Sequence, residues 1–455
     1  MPDLPSTSGA MSCRRRVLSA FIIAMVFALL GSMPALAKSR APQFSAVGDV
    51  VVAGGVDAGG NALNSAEFYN VQRRKFFPTG SMNSARGGLQ AQWFASSVKR
   101  GADSGMVAGG FTGSASFSGG TLSFNITALT TVESYTLSTG TFATAADTMA
   151  DGRALAASIA YPGNVSSASF LESHVLVWGG ICNSSALNCN TASIVHPENP
   201  SNLTVTATSS TQAARAFEQL TLLPDNTVLA TGGIGDYSGD TLNTGEIFDT
   251  PNETSSLVTA PMVSARAGHT ATLLNDGTVL IVGGAVSSGG TLTALNTAEI
   301  YDPSSQTFTA VSATMNQPRT NHSATLLANG NVLIAGGFDG TATFSMTGGA
   351  SGESGSLAMK SGGILNTAEI YNPSSKTFTC VKGIFKKTGL CKPSMKSSRA
   401  FQTATALSNG DVLLTGGLSS QGALNTAERF HGSSFKKVGS MGSARMLHAA
   451  MMVQQ

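Results

Sequence analysis

The side chains best suited to chemistry in this sequence recur at regular spacing. An arginine stands at the same place in seven similar segments, and a glutamate recurs in six. These residues are Arg86, Arg153, Arg215, Arg266, Arg319, Arg399, Arg445, Glu67, Glu133, Glu246, Glu299, Glu369 and Glu428. Guanidinium groups form short, charge-assisted hydrogen bonds with carboxylates and carbonyls. Catalysis needs a few groups placed asymmetrically, so the alternative, a catalytic ring, is disfavoured. We expect these residues to fix how each unit meets the next.

Three of the six histidines, His269, His322 and His448, share one slot, three residues after the arginine. Imidazoles bind copper or zinc, but three from different units could meet only in a narrow pore. We therefore expect structural histidines, no metal and no cofactor. The Gly-x-Ser-x-Gly, His-Glu-x-x-His and P-loop motifs are absent, so hydrolases, metalloproteases and nucleotide-binding proteins lack their minimum parts.

The first 37 residues have the pattern of a secretory signal. Three arginines, Arg14 to Arg16, precede an apolar run over 17–30, and small residues end at Ala37. We expect cleavage near Ala37 and a secreted, periplasmic or cell-surface protein, with a retained membrane anchor as the alternative. The remaining chain has as many acidic as basic residues, which argues against nucleic-acid binding. We also expect no stable membrane insertion after cleavage, and a monomer.

Four cysteines remain after cleavage, in two close pairs: Cys182 with Cys189, and Cys380 with Cys391. Export favours disulfides. A metal site is the alternative, but neither pair has a nearby histidine or third cysteine. The second pair would hold the base of segment 381–398, which contains no acidic residue. Its lysines are Lys382, Lys386, Lys387, Lys392 and Lys396. Exposed ammonium groups there could receive an acidic glycan or a carboxylate-rich partner, or the loop could merely be solvated.

A repeat must position all these residues. An apolar stretch ending in two glycines occurs seven times, from Gly54-Gly55 to Gly416-Gly417. In the best-preserved unit, strand a runs from Arg266, strand b ends at Gly284, strand c spans 295–301 and strand d spans 307–310. One such sheet cannot bury both faces, so the units must stack. The chain begins with strand b and ends after strand a, which predicts that an inner strand at about 445–455 completes the first sheet.

The paired glycines, the arginine and the Glu-x-Tyr of strand c resemble the kelch-repeat β-propellers, including the central domain of galactose oxidase. That Glu-x-Tyr pattern occurs at Glu67 and Tyr69, Glu133 and Tyr135, Glu299 and Tyr301, and Glu369 and Tyr371. The resemblance covers residues 45–455. It implies an all-β, seven-bladed kelch-type β-propeller with four antiparallel strands per blade, closed by the C-terminal strand. Strand d departs from the family, because Phe76, Phe142, Phe308 and Phe378 stand where tryptophan is frequent.

In such a propeller, loops b–c and d–a share one face, and here they carry the long insertions. These are 111–128, 338–364, the loop from Cys182 to Cys189, and 381–398. Binding residues concentrate on variable loops held by a rigid scaffold. We therefore expect an exported, non-enzymatic module that binds a protein or glycan with this face. The alternative is a sugar-active enzyme similar to galactose oxidases or sialic acid mutarotases. The cross-linked cysteine of galactose oxidases would need an unpaired cysteine here.

Overall fold

The computed structural model describes residues 48–94, 104–163, 173–182, 188–197, 203–236, 238–349 and 352–454. They belong to one compact unit, Phe44–Gln455. This described part is built of β-strands and turns without a helix, so it offers no helical segment that could cross a bilayer. The predicted signal sequence at 1–37 lies outside the described residues.

The strands are short and follow one another in chain order. The first nineteen are β1 (Val50–Ala53), β2 (Ala66–Asn70), β3 (Lys75–Pro78), β4 (Gln90–Phe94), β5 (Ser104–Ala108), β6 (Phe111–Ser118), β7 (Thr121–Ala128), β8 (Thr131–Thr136), β9 (Thr141–Thr148), β10 (Arg153–Ala154), β11 (Ala157–Pro162), β12 (Ser173–Trp178), β13 (Ile181–Cys182), β14 (Ala192–His196), β15 (Thr204–Ala207), β16 (Gln219–Leu222), β17 (Val228–Thr231), β18 (Gly245–Asp249) and β19 (Thr254–Leu257). The others are β20 (Thr270–Leu273), β21 (Val279–Val282), β22 (Ala285–Ser288), β23 (Thr291–Ala294), β24 (Ala298–Asp302), β25 (Thr307–Ala310), β26 (Ser323–Leu326), β27 (Val332–Ala335), β28 (Thr341–Gly349), β29 (Gly352–Met359), β30 (Ala368–Asn372), β31 (Thr377–Cys380), β32 (Thr403–Ala406), β33 (Val412–Thr415), β34 (Leu418–Ser419), β35 (Gly422–Ala423), β36 (Ala427–His431), β37 (Ser434–Lys437) and β38 (Ala449–Met452).

Seven antiparallel sheets of four strands account for most of these strands. Their strand orders are β38-β1-β2-β3, β4-β5-β8-β9, β11-β12-β14-β15, β16-β17-β18-β19, β20-β21-β24-β25, β26-β27-β30-β31 and β32-β33-β36-β37, and we number the sheets 1 to 7 in that order. In six of them the second strand is buried along its whole length. This agrees with the apolar stretch that precedes each glycine pair in the sequence. The predicted all-β class with four-stranded antiparallel sheets is confirmed.

The two ends of the chain meet in sheet 1. Strand β38 pairs antiparallel with β1, from Val50 opposite Met452 to Ala53 opposite Ala449. This is the pairing predicted from the strands missing at the two chain ends. The first strand of each sheet also contacts the first strand of the next, and β38 contacts both β32 and β4. The contacts between sheets therefore return to their starting point.

A ring of backbone hydrogen bonds links the starts of these first strands. The ring, which we call the axial ring, contains the residue two positions after each arginine: Gly88, Leu155, Phe217, Gly268, Asn321, Phe401 and Leu447. All seven have a left-handed backbone, with φ between 52° and 61°. Each N–H donates to the carbonyl of the member before it, and Gly88 donates to Leu447, at N···O distances of 2.8 to 3.5 Å. Strand a was predicted from Arg266 but begins at Thr270, because this turn precedes it.

Phenylalanine replaces the expected tryptophan of strand d by packing on the tyrosine of strand c. Phe76 lies 5.1 Å from Tyr69, and Phe308 lies 4.8 Å from Tyr301, between ring centroids. Such tilted aromatic pairs are favourable beyond the area that they bury. The substitution therefore leaves the c–d packing intact.

Segments 111–128 and 338–364, expected to be Gly-, Ser- and Thr-rich loops, instead supply four strands of a further sheet. Hairpins from sheets 2, 5 and 6 join edge to edge in the order β22-β23-β28-β29-β7-β6, which we call the six-stranded sheet. Its two edges are covered, because Ala115 donates its N–H to the Gly60 carbonyl and Ser287 donates its N–H to Thr241 Oγ1. Such cover removes the pairing sites that open sheet edges offer to other chains.

Candidate functional site

The recurring arginines are fully buried and bind groups of their own sheet. Arg86 Nη1 donates to the carbonyls of Gly109 and Thr131 at 2.8 and 3.0 Å, and Nη2 donates to Glu133 Oε1 at 2.6 Å. Equivalent ion pairs are Arg215–Glu246, Arg266–Glu299, Arg319–Glu369, Arg399–Glu428 and Arg445–Glu67. Each arginine thus joins the loop that enters a sheet to strands b and c of that sheet.

The glutamates also accept hydrogen bonds from that entering loop. Glu133 accepts the N–H groups of Asn83 and Ser84 at 2.7 and 3.1 Å. The other five do the same with Gly442 and Ser443, Gln212 and Ala213, Val263 and Ser264, Asn316 and Gln317, and Lys396 and Ser397. Carboxylates with these partners are fully engaged in holding the loops.

Sheet 3 departs from this pattern, because Ser193 occupies the glutamate position. Its arginine, Arg153, pairs instead with the half-exposed Asp151 at 3.8 Å, and burial lowers the pKa of Arg153 to about 10. Glu218 takes the histidine slot at the start of sheet 4. Burial raises the pKa of the Glu218 carboxyl to about 8, so this group is mostly protonated at neutral pH.

The three histidines bind threonines between neighbouring sheets. His269 Nε2 lies 2.9 Å from Thr231 Oγ1, and His448 Nε2 lies 2.8 Å from Thr415 Oγ1; His322 Nε2 lies 3.1 Å from Thr270 Oγ1. Burial lowers the pKa of His269 and of His448 to about 3, and that of His322 well below its usual value. The imidazoles are therefore neutral.

The histidines do not gather into a metal-binding group. Among the described residues, the group whose ligand atoms lie close enough for an ion is Glu369, Cys380 and Cys391. Its sulfurs belong to a cysteine pair at disulfide distance, with Cα atoms 5.4 Å apart, and Glu369 binds Arg319. Cys182 and Cys189 are likewise at disulfide distance, with Cα atoms 5.5 Å apart. These contacts favour two disulfides over metal ligation.

Two cavities lie on either side of the axial ring. A polar one of about 270 Å³ is lined by Glu218, the three histidines and Gln402. An apolar one of about 70 Å³ lies between the ring and the six-stranded sheet, lined by Phe217, Phe401, Leu122 and Phe344 among others. The ring thus separates a polar cavity from an apolar one.

The outer face of the six-stranded sheet is an array of hydroxyl groups that sequence reasoning missed. Its inner face buries Ala115, Leu122, Ile126 and Met346 against ring residues such as Phe217, so the alternate side chains point outward. The strand register aligns the outward residues of β6, β7, β29 and β28 in rows. One row is Ser116, Ser123, Ser356 and Ser345, and the next is Ser114, Asn125, Ser354 and Thr347.

These rows are uncharged and regularly spaced. Neighbouring strands lie roughly 4.8 Å apart, and successive outward residues on one strand are roughly 6.8 Å apart. Side chains also bond across strands, with Ser345 Oγ 3.2 Å from Ser356 Oγ and Thr347 Oγ1 3.0 Å from Ser354 Oγ. The period-two alternation of Phe111–Ser118 and Thr121–Ala128 was the signal in the sequence that could have revealed this face.

The five predicted lysines are all exposed and lie on the connection between sheets 6 and 7. Residues 383–392 form a hairpin, which we call the lysine hairpin: Phe385 donates its N–H to the Leu390 carbonyl at 2.8 Å, and Lys392 donates its N–H to the Gly383 carbonyl at 2.9 Å. Cys380 and Cys391 hold its base. The loop from Cys182 to Cys189 includes 183–187, which lie outside the described residues.

Comparison with known proteins adds no assignment. No protein-family model matches the chain, and no curated protein is similar enough to match it.

Proposed function

We propose that this protein is an exported, kelch-type propeller of seven blades that binds a glycan, without chemical turnover, on the outer face of its six-stranded sheet. The observation that carries the proposal is the aligned array of serine, threonine and asparagine side chains on β6, β7, β28 and β29. The seven four-stranded sheets and the closed axial ring support the propeller.

The chemistry of the array suits a neutral saccharide. A serine or threonine hydroxyl both donates and accepts hydrogen bonds, and an asparagine amide does the same with two atoms. Sugar hydroxyls have the same dual capacity. The outward side chains of these four strands include no charged residue, so a run of sugar units would meet hydrogen-bonding partners there without desolvating a charge.

The scaffold leaves this face free to bind. The arginines and glutamates that recur in the units form their ion pairs and hydrogen bonds inside the sheets and with the entering loops. The hairpins of the six-stranded sheet, in contrast, come from only three of the seven sheets. A feature present in a few units fits a specific ligand better than a feature shared by all of them.

A glycan array probed with the purified protein tests the proposal. We expect retention of neutral glycans, and Ser123→Arg with Ser356→Arg should weaken binding at least tenfold, because two long charged side chains would cover the central rows. The matched control is Ser305→Arg with Ser375→Arg, placed on exposed c–d turns at the opposite ends of the strands. Equal binding by both double variants, or no glycan retained, would refute the proposal.

One observation favours a sugar-active enzyme as the second candidate. Glu218, with its pKa raised to about 8, lines the polar cavity, and a carboxyl that stays protonated at neutral pH can act as a general acid. Incubation with reducing sugars, with interconversion of their anomers monitored by polarimetry, tests it. Turnover that Glu218→Gln abolishes would establish the enzyme, and binding without turnover would exclude it for those sugars.

A further inference from the structure

We propose that the lysine hairpin is a peripheral docking site for a lipid bilayer containing anionic headgroups. The site combines the exposed apolar side chains of this hairpin with lysines along segment 381–398, which contains no carboxylate. It lies outside the six-stranded sheet, so this inference does not depend on the glycan proposal.

Exposed apolar side chains are concentrated on this hairpin. Among the described residues, five large hydrophobic side chains are exposed, and three of them are Ile384, Phe385 and Leu390, at 45%, 47% and 42% exposure. Phe385 and Leu390 lie opposite each other across the turn, where Phe385 donates its N–H to the Leu390 carbonyl, and Ile384 precedes Phe385 in the chain. Exposed apolar side chains grouped on one short hairpin are typical of an interaction surface.

The charge around the patch selects the partner. Lys386 and Lys387 lie in the turn, and Lys382 and Lys392 flank the base. Segment 381–398 has no aspartate or glutamate to neutralise them. The chain as a whole is near neutrality, so this positive charge is local. Apolar side chains flanked by lysines are the composition with which peripheral proteins enter the headgroup region of anionic membranes.

The base of the lysine hairpin is anchored to the rest of the protein, which holds the hairpin in one conformation. Cys380 and Cys391 lie at disulfide distance, and Met395 packs into the core shared by sheets 6 and 7. The order of the hairpin lowers the entropy that docking would otherwise cost. The lysine stems are long enough to keep their ammonium groups among phosphates while the apolar side chains lie deeper.

Vesicle co-sedimentation tests the inference with the full chain after signal removal. We expect binding to vesicles of phosphatidylcholine with phosphatidylglycerol, and little binding to pure phosphatidylcholine. Lys386→Gln with Lys387→Gln should weaken that binding about 30-fold, from roughly fivefold per lysine near an anionic surface. The matched control, Lys436→Gln with Lys437→Gln on strand β37, removes the same charge from exposed positions elsewhere and should change binding much less.

The apolar contribution needs its own variant. Phe385→Ser should weaken vesicle binding several-fold, whereas Leu257→Ser, at another exposed apolar position, should not. Equal binding to neutral vesicles, equal effects of the two lysine pairs, or no effect of Phe385→Ser would each overturn the inference. The last result, with full competition by soluble heparin, would assign the hairpin to a soluble polyanion. Ser123→Arg with Ser356→Arg should leave vesicle binding unchanged, which separates this test from that of the glycan proposal.

Discussion

Replacing Arg445 with methionine should destabilise the protein by about 3–5 kcal/mol, the usual cost of removing one partner from a buried ion pair. Arg445 is fully buried and lies just before the last strand. It donates to the carbonyls of Gly54 and Ser65 at 2.7 and 3.1 Å, and to Glu67 Oε1 at 2.9 Å. All three partners belong to the first unit, so these bonds hold the C-terminal segment, which ends in β38, to sheet 1.

The matched control is Arg86→Met, because Arg86 makes the same set of bonds within one unit, to Gly109, Thr131 and Glu133. If the C-terminal segment is bound to sheet 1 in solution, the free energy of unfolding should fall by a similar amount in both variants. Urea titrations followed by circular dichroism and tryptophan fluorescence measure that loss, with equal m-values as the check on the unfolded state. A loss below about 1 kcal/mol for Arg445→Met, beside a large one for Arg86→Met, would refute a closed ring.

Three further predictions concern pH and the cysteines. Because His269 and His448 have pKa values of about 3 in the folded protein and 6.5 as the ordinary value, their contribution to stability should be full above pH 6.5 and be lost as the pH drops toward 3, seen as a lower melting temperature in acid; a melting temperature that stays constant between pH 4.5, below which Glu218 is mostly protonated in both states, and pH 3 would contradict this. Glu218 should change stability with pH in the opposite direction. Its pKa rises from 4.5 to about 8 on folding, so its contribution to stability should fall between pH 4.5 and 8 by on the order of 3–5 kcal/mol. Glu218→Gln should remove this fall and leave the loss of stability below pH 4.5 unchanged. Cys380→Ser with Cys391→Ser should cost about 2–3 kcal/mol in non-reducing urea titrations, and an equal midpoint for the two proteins would show that no disulfide forms.

Much of the scaffold could be predicted because its signals are local and repeated. The paired glycines, the recurring arginine and the Glu-x-Tyr pattern each involve a few neighbouring residues, and their repetition makes the pattern specific. The pairing of β38 with β1 followed from counting the strands at the two ends. The arginine–glutamate contacts could likewise be expected, because both residues recur in step.

The period-two alternation could have revealed strands β6 and β7, but the joining of the hairpins into one sheet could not be predicted, because it depends on pairing between distant segments. The contact of β7 with β29 joins residues more than 200 positions apart, and nothing local encodes it. Its strands are also rich in glycine and serine, which are typical of loops. The axial ring could not be predicted from the sequence for another reason. Gly88 and Gly268 suit a left-handed backbone, but Leu155 and Phe401 adopt it only because the closed ring holds them there.

Sheet 3 shows the limit of reasoning from a repeat. Ser193 stands where the other sheets have glutamate, and Asp151 from the entering loop forms the ion pair with Arg153 instead. The carboxyl of Glu218, buried beside this site, could not be located from spacing alone because its slot holds histidine in three other units. Tertiary compensation of this kind becomes visible only when the neighbouring sheets are placed.

Hydrogen–deuterium exchange is the most direct test that the ligand binds the six-stranded sheet. It is measured with and without a glycan that the protein retained in the glycan-array experiment. We expect slower exchange within 111–128 and 341–359 when the glycan is bound, with the c–d turns unchanged. Slower exchange confined to the strand starts around the polar cavity, with both hairpins unaffected, would contradict it.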